Sequence, residues 1–120
     1  MSIFGLIADR SSAIAWTDTR TANFDGGEYG ETLKLHIDAR FPSAVASRGL
    51  AYLGLLAKFY LAAKPWSFGE QVERFPQLVQ ECAQQVPIEF EKAGTPIPAD
   101  FGKFDIFLAG FDRKAGRVRT

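Results

Sequence analysis

Four side chains in the first third of the chain have the types and the order to do chemistry together: Ser2, Asp18, Arg20 and Lys34. Ser2 carries a hydroxyl next to the chain start. Asp18 and Arg20 supply a carboxylate and a guanidinium sixteen and eighteen residues later, and Lys34 adds an ammonium fourteen residues beyond Arg20. A hydroxyl beside fixed charges is a candidate nucleophile, provided that the fold brings the four to one place.

The first twenty residues can do much of that. Ile3–Ala8 is an apolar run of strand length, Asp9-Arg10-Ser11-Ser12 is a polar break of turn-favouring residues, and Ala13–Arg20 starts apolar and ends polar. Folded as a hairpin in which Ala8 opposes Ala13, the two strands put Ser2 opposite Thr19, with Asp18 and Arg20 flanking it on one face. The same carboxylate and cations could equally form a structural ion-pair network at a sheet edge.

The remaining elements follow in order. Residues 21–31, with three glycines, read as a mobile polar loop; the Gly-Lys-Ser/Thr ending of a phosphate-binding loop is missing. Thr32–Ile37 alternates, with Leu33, Leu35 and Ile37 on one face and Thr32, Lys34 and His36 on the other, so the spacing predicts a half-buried strand with His36 on its solvated side. Ser43–Ser47 is a short strand of small residues ending at Arg48-Gly49. Leu50–Ala63, apolar almost all round, predicts a buried helix. Ser67 and Glu70 form a capping-box signature, followed by an apolar stripe of Phe68, Val72, Phe75, Val79, Cys82 and Val86. Pro76 either kinks this helix or starts a second one, and Pro87 and the Gly94–Pro98 stretch close the helical region. Phe104–Phe111 is a central strand apolar on nearly both faces, and Arg117–Thr120 begins a returning strand that the sequence leaves in mid-ladder. Strand pairs, two helices and a further strand pair predict an α+β layered domain spanning residues 1–120.

Composition narrows the function. Fourteen basic and fourteen acidic residues cancel, which gives no footprint for nucleic acid, and the aromatic content lacks a basic groove beside it. One cysteine suits a reducing, cytoplasmic compartment, and Cys82 reads as core packing. The longest nearly uncharged run, Gly49–Ala63, is short for a bilayer, so no membrane is expected. A single histidine supports no serine triad, and neither a metal site nor a cofactor is expected. Eleven Phe and two Trp favour a large core or a contact between subunits.

The chain resembles the proteasome-type N-terminal nucleophile hydrolases, the family of proteasome β-subunits and their simpler bacterial relatives. The resemblance rests on Ser2–Asp9, Thr17-Asp18-Thr19-Arg20, Lys34-Leu35, the strand ending at Ser47-Arg48-Gly49, the two helices, and Phe107–Asp112. With the family's nucleophile placed on Ser2, its Asp, Arg and Lys fall on Asp18, Arg20 and Lys34 without a gap. The resemblance implies the N-terminal half of an αββα four-layer sandwich, in which two antiparallel sheets pack face to face and the helix pair covers one outer side. It implies that this half is truncated in its last strand, within a homo-oligomeric ring, with an ATPase as a possible partner. It further implies hydrolysis of amide bonds in peptides by Ser2 once Met1 is removed.

Elementary chemistry agrees with those roles. A free α-amino group, with a pKa of about 8, can take the hydroxyl proton while the oxygen attacks a carbonyl. Lys34 would lower the cost of negative charge there, Asp18 would hold Lys34, and Arg20 would support Asp18. Backbone N–H groups of the Ser47–Gly49 turn are where an oxyanion hole could sit, with Gly49 as its assigned residue. The alternative is a non-catalytic subunit that keeps the fold for assembly or scaffolding.

Overall fold

The computed structural model describes residues 4–17, 20–22, 29–31, 34–38, 40–49, 51–97 and 101–120. Among the described residues ten elements run in the order β1 (Phe4–Ala8), β2 (Ala13–Thr17), β3 (Arg20–Ala22), β4 (Tyr29–Glu31), β5 (Leu35–Asp38), β6 (Ser43–Arg48), α1 (Ala51–Ala63), α2 (Phe68–Ala93), β7 (Asp105–Asp112) and β8 (Arg117–Arg119). The α+β class expected from the sequence holds. Pairing among these strands is antiparallel: β1 with β2, β3 with β4, and a four-stranded sheet in the order β5-β6-β7-β8.

The opening hairpin has the register its turn dictates, with Ala8 opposite Ala13 and Phe4 opposite Thr17. The Asp9 carboxylate fixes the turn by accepting the Ser11 and Ser12 amides at 2.7 and 2.8 Å. Those bonds, the Ser11 amide first, hold its carboxyl below the usual range. Residues 21–31 depart from the expected plain loop. Arg20–Ala22 pairs with Tyr29–Glu31, so the glycine-rich stretch joins the arms of a second hairpin.

Two helices cover one face of the four-stranded sheet. Leu53, Ala57 and Leu61, one face of α1, are at most 3% exposed, and they meet Val45 of β6, Leu108 of β7 and Phe68, Leu78, Cys82 and Val86 of α2. Burying each of the larger side chains contributes about 1.5–3 kcal/mol, so this seam is the main source of stability. The all-round apolar character of α1 does not mean all-round burial, because Phe59 on its other side is 60% exposed.

The capping box at α2 forms as its signature requires: Ser67 Oγ accepts the Glu70 amide at 3.3 Å, and Glu70 Oε2 accepts the Ser67 amide at 3.0 Å. Pro76 and Pro87 both lie inside one continuous helix, so neither starts a new helix nor ends this one. Packing along Leu78, Cys82 and Val86 outweighs the hydrogen bond that each proline removes. The helix stops at Gly94, in the stretch expected to close it; the φ of this glycine, 66°, is left-handed, and with Thr95 it returns hydrogen bonds to Glu91 and Phe90.

Strand β5 is inverted relative to expectation. Its polar side faces inward, with Lys34 2% and His36 5% exposed, while Ile37 on the other side is 66% exposed. Alternation sets the period of a strand and not which face turns to the core. Here the side carrying His36 and its ladder partner Val45 lies under the helices. Among the described residues no helix is long and apolar enough to cross a membrane.

Candidate functional site

Of the five residues assigned from sequence, Ser2 and Asp18 lie outside the described residues. Arg20 opens β3 opposite Glu31. Lys34 immediately precedes β5. A lysine 2% exposed is unusual, since an ammonium out of water needs a compensating partner. Lys34 is engaged with its surroundings and is not a free cation.

Gly49 sits where β6 turns into α1. Its φ of 97° is open to glycine and strained for other residues, and a Cβ there would lie 2.6 Å from the Lys103 carbonyl oxygen. The turn is fixed from the helix side as well. The buried Ser47 hydroxyl accepts the Gly54 amide at 3.2 Å, tying the end of β6 to the first turn of α1. A tight strand-to-helix turn with an exposed glycine is a place where backbone N–H groups can face a ligand.

A second polar cluster was not singled out by the sequence. His36, Asp38, Ser43, Lys58 and Gln71 line a cavity of about 10 Å³ between the sheet and the helices. Ser, His and Asp are the residue types of a serine hydrolase triad, yet no hydrogen bond joins these three. Asp38 is committed to Arg40, accepting its backbone amide at 2.9 Å, Nε at 3.2 Å and Nη2 at 2.9 Å. Arg40 in turn donates to the Leu61 and Lys64 carbonyls at 2.9 and 3.2 Å, closing the C-terminal end of α1. That guanidinium holds the Asp38 carboxyl below its usual range. The Gln71 amide adds to this by proximity without meeting the carboxylate in a well-formed hydrogen bond. A space for one water molecule admits no peptide, so this cluster is no hydrolytic centre.

Gln71, 0% exposed, is the member that the sequence signalled most directly. It falls three residues after Phe68 and four before Phe75, a polar residue on an apolar helix stripe. Cys82 is also fully buried, and burial pushes its thiol up to about 11, which leaves it protonated and unreactive. Among the described residues no group of three or more His, Cys, Asp or Glu is placed to hold a metal ion.

No family model, curated protein or solved structure matches the chain.

Proposed function

We propose that the protein is an amide-bond hydrolase of the N-terminal nucleophile type, a cytoplasmic proteasome-like subunit acting on peptides within a homo-oligomeric ring. The observation that carries the reading is Lys34, an almost fully buried lysine at the mouth of β5, in sequence register with Ser2, Asp18 and Arg20. The Ala8–Ala13 register of the opening hairpin, from which that reading starts, supports it.

In this reading removal of Met1 frees the Ser2 amine. The amine takes the Ser2 hydroxyl proton, directly or through a water, as Oγ bonds to the substrate carbonyl carbon. The oxyanion is met by N–H groups of the Ser47–Gly49 turn, and the positive charge of Lys34 stabilises the developing negative charge. Collapse breaks the C–N bond, the leaving amine takes the proton, and the acyl group remains on Ser2 as an ester. Water then adds to the ester, the amine again accepts a proton, and the acid leaves as Oγ is reprotonated. Asp18 holds Lys34, and Arg20 supports Asp18.

The second reading, a non-catalytic subunit kept for assembly, is favoured by apolar surface on the hairpin and on β5: Ile7, Ile14 and Ile37 are each 66% exposed and Trp16 44%. Intact mass and labelling separate the two. Catalysis requires loss of Met1 and a single adduct of a hydroxyl-directed electrophile on Ser2, abolished in Ser2→Ala. Retained Met1 in the folded protein overturns the catalytic reading, since an amide nitrogen cannot serve as the base.

A further inference from the structure

We propose that the cavity between β5, β6 and the two helices is a binding site for one buried water molecule, which bridges His36 of the sheet to Gln71 of α2. Three observations meet there. The cavity has a volume of about 10 Å³, room for a single water. His36 and Gln71 both line it, and they are 5% and 0% exposed. Finally, His36 Nε2, Gln71 Oε1 and Gln71 Nε2 are buried and have no hydrogen-bond partner in the protein.

Orphaned atoms of this kind are rare in native interiors, because each loses its hydration on folding and gains nothing in return. The donor and acceptor inventory selects the ligand. Gln71 offers both an acceptor and two donors, and a neutral imidazole nitrogen offers one or the other. Their common partner must therefore both donate and accept, in the space of one heavy atom. Water does so. A metal cation would leave the Gln71 amide protons unmet and would stand beside the Lys58 ammonium, which lines the same space. An anion would leave Gln71 Oε1 unmet. The Asp38 carboxylate, engaged at both oxygens by Arg40, makes no hydrogen bond to His36 Nε2.

The bridge explains why a glutamine occupies an apolar stripe. It links the one inward-facing imidazole of the sheet to the helix and fixes how α2 lies across β5 and β6.

The test is a crystal structure of the full chain at a resolution that shows ordered waters, grown near neutral pH, joined to a double-mutant cycle. One isolated density peak within hydrogen-bond distance of His36 Nε2 and a Gln71 amide atom is the expected result. A direct His36–Gln71 or Gln71–Asp38 bond, an unfilled cavity, or density too large for one water each overturn the proposal. In urea unfolding, Gln71→Met and His36→Leu should be coupled by about fivefold or more in the folding equilibrium constant, as expected of residues in one network. Effects that multiply to within about twofold of independence overturn it. If His36→Leu fails to fold, the wild-type density alone decides.

Discussion

The Ser47 hydroxyl accepts the Gly54 amide at 3.2 Å, and a Cβ on residue 54 would lie 2.6 Å from that same oxygen. The contact presses α1 against β6 five residues after the turn-forming Gly49, so the backbone of the candidate oxyanion turn is anchored from both sides. Gly54→Ala sets two effects against each other. Alanine favours the helix by about 1 kcal/mol. Overlap with a fully buried serine costs about 1–3 kcal/mol, because α1 must lift or Ser47 must rotate. The net expectation is destabilisation, read as a lower urea midpoint. Ser47→Ala, which removes one hydrogen bond and leaves the close approach intact, should cost only about 1 kcal/mol. A Gly54→Ala protein more stable than the parent would mean that the helix does not sit where described.

Much of this arrangement can be read from the residues. Asp9–Ser12 sets the hairpin register through its own side chain, and Ser67 with Glu70 marks the start of α2 to the residue. Those features are local, and local chemistry is what a sequence displays. The failures have one origin. Which face of β5 turns inward, whether Pro87 ends α2, and whether Arg20–Ala22 pairs at all depend on partners distant in the chain. Burial along Leu78, Cys82 and Val86 carries the helix through its prolines, and Glu31 gives Arg20 a ladder partner across a glycine-rich stretch. In the candidate site Lys34 stood out by spacing alone, whereas Gln71 mattered through a cavity that only the packed helices create.

Lys34 should carry both function and stability. In the proposed site its charge acts on the nucleophile, so Lys34→Met should lower hydrolysis of a fluorogenic peptide amide by about a hundredfold or more. Methionine matches the length of the buried lysine stem. It also leaves the partner of a buried cation uncompensated, which costs about 3–5 kcal/mol, so the thermal midpoint should fall and activity is compared well below it. Lys34→Arg keeps the charge but adds bulk at a position 2% exposed, and it should lose both activity and stability. Full turnover in Lys34→Met would remove this residue from the mechanism.

Cys82 offers a direct probe of the helix–sheet seam. It is the single cysteine of the chain, it is 0% exposed, and its thiol is pushed up to about 11 by burial. A disulfide reagent near neutral pH should therefore react only through molecules that have opened. Labelling should slow by orders of magnitude on folding and should accelerate in step with the unfolding transition in urea. Rapid labelling of the native protein would show that α2 leaves the sheet in a local motion.

His36 should give the folded state a pH dependence that sets in as pH falls below about 6.5. Burial, reinforced by the Lys58 ammonium, lowers its pKa below the ordinary 6.5. The groups around its cavity are Lys58 of α1, Asp38 of β5, Ser43 of β6 and Gln71 of α2, with Asp38 neutralised by Arg40. Above about pH 6.5 the imidazole is neutral in both folded and unfolded chains and adds no slope. As pH falls below that value the unfolded chain takes up a proton that the folded chain refuses, so stability declines until the folded pKa is reached. Carboxyls held low by their partners, Asp38 and Asp112 among them, lose their contribution only lower, near and below their ordinary 3.8. The upper limb therefore belongs to the single histidine. Urea unfolding at about pH 7.5, 6 and 5 should show a stability loss in the wild type and a nearly flat response in His36→Leu. A wild-type protein equally stable at all three would mean that this imidazole takes up a proton as readily in the fold as outside it.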